Sequence, residues 1–346
     1  MKWWSIATTA IIVLLGCVNQ QQLKDKDYQV QLGRYLFYEN KLSVNNTKSC
    51  ASCHNQQFAF TDGYRKSITS LGENVLHNAP TLINIQQYKF YDWANPGSTT
   101  LTKQIIRPLY AEHPIELGLN LHYPQVKAYL EKDSVYAKLF KQAFPGDTAW
   151  FTLNQIEASI VAFEKTLSSY NSSFDKQTMS KSAQKGFELF KSDRLKCAAC
   201  HNPPQFTLAA ASSNIDSVYA NIGLYNVGGK NIYPVEDAGL VSVTQKKADD
   251  GKFKIPTLRN IMLTNPYMHD GSVATIEDVI DIYARGGRDV NYGDYKGDGK
   301  LNTNKSNLIN GFTLTAEERS NLLAFLHALT DTSILNNPKF SSPVTY

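Results

Sequence analysis

The pentapeptide Cys50-Ala51-Ser52-Cys53-His54 returns as Cys197-Ala198-Ala199-Cys200-His201, and this duplication constrains the chain more than any other feature. The pattern C-x-x-C-H is the attachment signature of a c-type haem. Two thiols one helical turn apart can add to the two vinyl groups of one porphyrin. The adjacent histidine then lies under the ring and offers the iron a nitrogen. The chain is therefore expected to carry two covalently bound haem c groups, one on Cys50, Cys53 and His54, the other on Cys200, Cys197 and His201. Structural zinc sites built from two C-x-x-C pairs place them about 15–20 residues apart; Cys53 and Cys197 are far beyond that spacing. A thioredoxin-like dithiol needs a βαβ context and has no use for two histidines. The fifth cysteine is Cys17, so no pair is left for a structural disulfide.

Residues 1–16 read as a targeting segment. Lys2 supplies a positive start, and Ile6–Leu15 an apolar core too short for a stable membrane span. The run Leu14-Leu15-Gly16-Cys17 resembles a bacterial lipobox. That resemblance implies cleavage before Cys17 and a lipid on its thiol; an uncleaved anchor or an ordinary secretory signal is the alternative. Because c-type haem is attached outside the cytoplasm, the expected location is the periplasmic side of the cell envelope, lipid-anchored. The formal charge is +4, and no basic cluster stands out, so a nucleic-acid partner is not expected.

At 346 residues the chain is long enough for two domains, and its halves repeat one plan. Gly33-x-x-Leu36-Phe37 precedes the first motif, and Gly186-x-x-Leu189-Phe190 precedes the second. Each motif continues with asparagine and has an aromatic close behind, Phe58 or Phe206. Each half closes on a helix carrying Ala-Phe-x-x-x-Leu, expected over 154–169 and 315–330. Ile156, Ile160, Phe163 and Leu167 follow one helical stripe, which predicts a buried face. Flanking a haem motif, such helices predict an all-α fold of two cytochrome c-like domains with long loops. The expected layout is a tether over 17–27, an N-terminal haem domain over 28–170, a polar linker over 171–181 and a C-terminal haem domain over 182–346. The first helix is expected over 28–38, with Gly33 at a close helix contact. The stretch 223–251, rich in glycine and polar residues, predicts irregular backbone with short strands. Asp294, Asp298 and Gly299 do not fit an EF-hand spacing and read as a solvated loop.

Further motifs carry a family resemblance. They are Leu32-Gly33-Arg34-Tyr35-Leu36-Phe37, Asn78-Ala79-Pro80-Thr81-Leu82, Gln104 through Glu116-Leu117-Gly118, and Ile255-Pro256-Thr257-Leu258-Arg259-Asn260 running to Pro266-Tyr267-Met268-His269-Asp270-Gly271. With them the chain resembles the bacterial di-haem cytochrome c peroxidases, including the MauG-type enzymes, from about Tyr28 to Thr330. The resemblance implies that the N-terminal haem reacts with peroxide and the C-terminal haem passes it electrons. It matches Glu116 to the family's distal acid and Gln104 to the glutamine of the same pocket. Cleaving peroxide requires a proton to move from one oxygen to the other, work suited to a carboxylate whose pKa burial has raised. Glu112 and His113 are the neighbouring alternatives.

The family's tryptophan between the haems has Tyr91 at its position here, with Trp93 two places on; Trp93 is the favoured electron bridge. The resemblance implies a calcium ion held by Asn78 and the carbonyls of Thr264 and Pro266. For the second iron's other ligand, counting fourteen residues from His269 reaches Tyr283, where many relatives have methionine and the MauG type has tyrosine. Met268 is the competing ligand. A thioether would stabilise the reduced iron, a phenolate the higher oxidation states. His77 could swing onto the first iron and block it.

The leading expectation is an enzyme reducing hydrogen peroxide to water, with electrons from a small periplasmic cytochrome c or copper protein. A MauG-type oxidase that uses peroxide on a protein or small molecule is the alternative, and a di-haem electron carrier the third reading. Relatives are often dimers, so a homodimer is the oligomer to test for.

Overall fold

The computed structural model describes residues 23–344. The lipobox Cys17, the targeting segment and most of the expected tether lie outside the described residues. The first helix is already formed at residue 23 and runs to 37, so it begins earlier than the apolar spacing predicts. Its first turns are polar, and Leu23 is exposed. Leucine, lysine and glutamine favour helix without needing a buried face, so periodicity misses them.

In each half an opening helix crosses a closing helix at a glycine. The first crossing sets Gly33 against Leu153–Glu164. A Cβ on Gly33 would fall 1.7 Å from the carbonyl oxygen of Ser159. In the second half Lys181–Lys191 crosses Ala316–Ala328, and a Cβ on Gly186 would fall 1.9 Å from Asn321 O. Only hydrogen fits at either point, so the backbones approach closely and the flanking aromatics interlock. Phe37 packs edge-on to Phe163 at 5.2 Å, and Phe190 lies against Phe325 at 5.0 Å. Both closing helices start with a reciprocal cap, Thr152 with Gln155 and Thr315 with Glu318. Such a cap satisfies two orphan N–H groups and contributes about 1 kcal/mol.

Between motif and closing helix the first half inserts Leu101–Tyr110, Leu119–Lys132 and Ser134–Ala143. The second half is mostly irregular there; the stretch 223–251 is irregular as expected but holds short helical turns, and the short strands expected in it lie outside it. Its strands are two-residue pairs, Tyr219–Ala220 with Phe253–Lys254 and Asp289–Val290 with Gly297–Asp298, both antiparallel. Helix Ile276–Arg285 is the longest element between its haem motif and its closing helix. Among the described residues no helix is long and apolar enough to cross a membrane.

Two large cores and a small cluster around Phe90 and Tyr219 result among the described residues, and the halves exchange residues. Trp93, from the first half, is 9 % exposed and packs in the second core. Ile334 and Phe340, from the C-terminal tail, pack in the first. Tyr38 and Arg34 hold that tail through Phe340 O and Ser341 O, and Gln56 through Ile334 O. The tail therefore straps the first haem motif, although in sequence it falls in the C-terminal domain expected over 182–346.

Candidate di-haem site

Both C-x-x-C stretches form a single helical turn, Cys50–Cys53 and Cys197–Cys200, with the histidine at its end. The four thiols form no disulfide. Among the described residues they are not gathered into one metal-binding cluster. Cys50 packs against the first core and Cys197 against the second, so a zinc site shared by the two pairs loses its geometry.

Each histidine is aimed by its other nitrogen. His54 Nδ1 lies 3.0 Å from Phe60 O; His201 Nδ1 lies 3.2 Å from Phe206 O and 3.1 Å from Pro256 O. A carbonyl only accepts, so Nδ1 carries the proton and Nε2 is left with a lone pair for a metal. Burial lowers the pKa of both rings, that of His201 to about 4, which keeps them neutral.

The structure corrects one match. Phe206 pairs with Phe60, not with Phe58. Phe60 and Phe206 are fully buried, with φ of 61° and 53°, and their carbonyls aim the two histidines. Phe58 is 43 % exposed. One extra residue separates histidine from aromatic in the first loop, so ungapped counting lands on Ala59, between Phe58 and Phe60.

A second internal repeat supports this frame. Pro80-Thr81-Leu82-Ile83-Asn84 and Pro256-Thr257-Leu258-Arg259-Asn260 occupy equivalent places. Thr81 donates to Ala59 O at 2.5 Å and Thr257 to Gln205 O at 2.7 Å, each fixing the residue before the histidine-aiming phenylalanine. Asn84 and Asn260 both adopt left-handed backbone. The shared P-T-L-x-N string was the signal available in the sequence.

In the second half a cavity with about 1360 Å³ of empty space, partly open to solvent, is lined by Cys197, Cys200, His201, Trp93, Met268 and Tyr283. Burial, and then the nearby thiols of Cys200 and Cys197, raise the pKa of Tyr283. Tyr283 and Met268 thus both face the space beside His201. In the first half, burial and then the charges of Asp62 and Glu116, with partial relief from Ser67, push the Cys53 thiol up to about 11. Glu116 is therefore close to the first motif. Burial raises its own pKa; Arg107 and His77 oppose that, and Asp92 adds to it. Gln104 is half-buried on the Leu101–Tyr110 helix, one turn before Arg107. Another buried carboxyl escaped the sequence reading: Glu164 is 5 % exposed, its Oε2 has no partner, and its charge is felt by Cys50.

His77 is tied down. Its Nε2 lies 2.9 Å from Asp237 Oδ1, and His269 Nε2 lies 3.4 Å from the other oxygen. Burial works against the charge on Asp237, yet hydrogen bonds from His269 and His77 hold its pKa well below the usual carboxylate range. Asn78 joins the same seam. Its N–H donates to His269 O at 2.7 Å and its Nδ2 to Tyr64 O at 2.8 Å, and its own carbonyl accepts from Trp93 Nε1 at 2.9 Å. Thr264 and Pro266 follow the turn Ile261–Leu263, a few residues before His269. Tyr91 stays with the first half, its hydroxyl on Tyr88 O.

Comparison with known proteins now bears on this geometry. Residues 27–183 match the family model described as di-haem cytochrome c peroxidase. Cytochrome c551 peroxidase of Nitrosomonas europaea is 30% identical over 322 residues, 91% of this chain and 82% of that one. The chain belongs to the di-haem cytochrome c peroxidase family. Methylamine utilization protein MauG of Methylorubrum extorquens is 28% identical, over 87% of this chain and 78% of its own. A crystal structure described as a MauG-like protein associated with microbial copper homeostasis superposes with a TM-score of 0.87. It is 40% identical and covers 91% of this chain and 93% of that one. The diheme peroxidase BthA of Burkholderia thailandensis, 20% identical at a TM-score of 0.63, shares the fold. In this family the two motifs carry haem c, and the aimed histidines, the paired thiols and the apolar cavity fit that group.

Proposed function

We propose that the protein is a di-haem cytochrome c peroxidase, reducing hydrogen peroxide to water with electrons from a small periplasmic cytochrome c or copper protein. The observation that carries this reading is Glu116, a half-buried carboxyl with raised pKa beside the first haem motif. Once bound at His54, the haem supplies an iron site for peroxide and a path for electrons. Glu116 takes the proton from one peroxide oxygen and returns it to the other. A carboxyl whose pKa is raised does both more readily than an ordinary one. Gln104 orients the peroxide from the neighbouring helix. His77 stays on Asp237 and leaves the first haem's open face accessible. His201 and Tyr283 would hold the second haem in the cavity they line, and Trp93, at the seam between the halves, would serve as the bridge between the two centres.

A calcium ion on Asn78 Oδ1 and the carbonyls of Thr264 and Pro266 fixes the seam between the halves. Asn78 Nδ2 is engaged by Tyr64 O, which leaves Oδ1 as the oxygen to offer such a cation. The lipid on Cys17 places the enzyme on the periplasmic side of the envelope.

Tyr283 favours a second reading, a MauG-type oxidase. A phenolate stabilises the higher oxidation states, so oxidising power can be kept for a protein or small-molecule substrate. Steady-state peroxide consumption with a reduced cytochrome c donor tests the proposal. Glu116→Gln is expected to lose about a hundredfold or more of the wild-type turnover, the usual share of a positioned proton donor. Full turnover in that variant would remove Glu116 from the mechanism.

A further inference from the structure

Lys254 is a buried cation that the peroxidase reading does not use. It follows Phe253 in the two-residue strand and is 4 % exposed. Its N–H donates to Trp93 O at 2.8 Å. Its ammonium lies 5.4 Å from the ring centroid of Trp93 and 5.6 Å from that of Tyr88. Among the described residues no oxygen accepts a hydrogen bond from that ammonium. Asp92 is the carboxylate whose charge it feels, and Asp92 is paired with Arg107 at 2.9 Å. Ring faces offset only part of the cost of taking an ammonium out of water, so the site calls for an anionic oxygen.

The side chain lines the same cavity as Cys197, Cys200, His201 and Tyr283. The P-T-L-x-N repeat sets Lys254 against Asn78 of the first half, so the cation belongs to the second half alone. What enters that cavity in this family is a porphyrin carrying two propionate carboxylates.

We propose that Lys254 binds a propionate of the second haem and, seated on Trp93, raises that haem's reduction potential relative to the first. A positive charge beside a haem disfavours the ferric form, which carries one more positive charge than the ferrous. Lys254 thus makes the second haem a better acceptor of an incoming electron than it would be without the cation, offsetting part of the effect of a Tyr283 phenolate, and places its anchored edge against the aromatic bridge. The inference rests on the second haem of the proposed function but not on peroxide chemistry.

Potentiometric titration of the holoprotein, followed by haem absorbance, tests it without peroxide. Lys254→Met removes the charge and keeps the length. Its second-haem midpoint is expected to fall by about 59 mV, a tenfold change in the ferric-to-ferrous ratio for one electron. The first haem should not move, and Lys254→Arg should stay near wild type. An unmoved second-haem midpoint in Lys254→Met, or an equal shift of both haems, would overturn the proposal. If Lys254→Met does not retain two haems by pyridine haemochrome assay, Lys254→Gln is titrated under the same criteria. Loss of the second haem in both neutral variants with retention in Lys254→Arg supports a required cation. Loss in all three variants overturns the proposal, because shape and not charge would then be what matters.

Discussion

Substituting Gly186 by alanine tests how the second haem motif is held. The new methyl would sit 1.9 Å from Asn321 O and 2.8 Å from Phe325 Cβ. Ordinary carbon contacts lie near about 3.5 Å, so the two helices must part by roughly 1.5 Å. That movement pries open the Phe187–Phe325 stack at 4.9 Å and the Phe190–Phe325 pair at 5.0 Å. Overpacking of this kind costs about 1–3 kcal/mol, and each loosened aromatic pair adds about 0.5–1.5 kcal/mol. The sum is about 2–6 kcal/mol. At about 2–4 °C per kcal/mol for a domain of this size, thermal unfolding of the holoprotein should begin at least several degrees lower. Gly146→Ala, with nothing within 4 Å of the added methyl, is the control and should melt like wild type. A Gly186→Ala protein that melts within about 1 °C of wild type, well inside the range of neutral surface changes, would refute the close-crossing argument.

The second prediction concerns pH. Burial lifts Glu164 from 4.5 to about 8, so its contribution to stability is whole below pH 4.5 and is lost as pH rises toward about 8. Denaturant midpoints of the holoprotein should therefore fall across that window, and Glu164→Gln should flatten the fall; parallel curves for the two proteins would count against an ionising Glu164. The third concerns the second haem. With Tyr283 as ligand, the oxidised protein should lack the sulfur-to-iron charge-transfer band at the red edge of the visible spectrum. Met268→Ala should leave that spectrum unchanged and Tyr283→Phe should alter it; a band present in wild type and lost in Met268→Ala reverses the assignment.

Much of the architecture was readable from the chain because its signals are local. The C-x-x-C-H pentapeptides, the glycine three residues before Leu36 or Leu189, and the Ala-Phe-x-x-x-Leu stripes each act within a turn or two. What escaped depends on distance or burial. The role of Phe60 was hidden by a single extra loop residue, since a carbonyl aimed at an imidazole leaves no side-chain pattern. The tail carrying Phe340 crosses to the opposite core, and nothing in its own spacing says so. Nothing in their own neighbourhoods sets Glu164 and Lys254 apart from other charges; only the packed structure shows one carboxyl oxygen without a partner and one ammonium held between rings. Trp93 was legible as an aromatic near the seam, while its hydrogen bond to Asn78 O required the fold.

The central claim is that two haem centres of unequal coordination share one chain, the first open because His77 is held by Asp237 and the second closed by His201 and Tyr283. Low-temperature electron paramagnetic resonance of the resting oxidised holoprotein reads this directly. The account predicts one high-spin and one low-spin ferric haem in equal amounts. Two low-spin haems, or a single haem per chain, would contradict it.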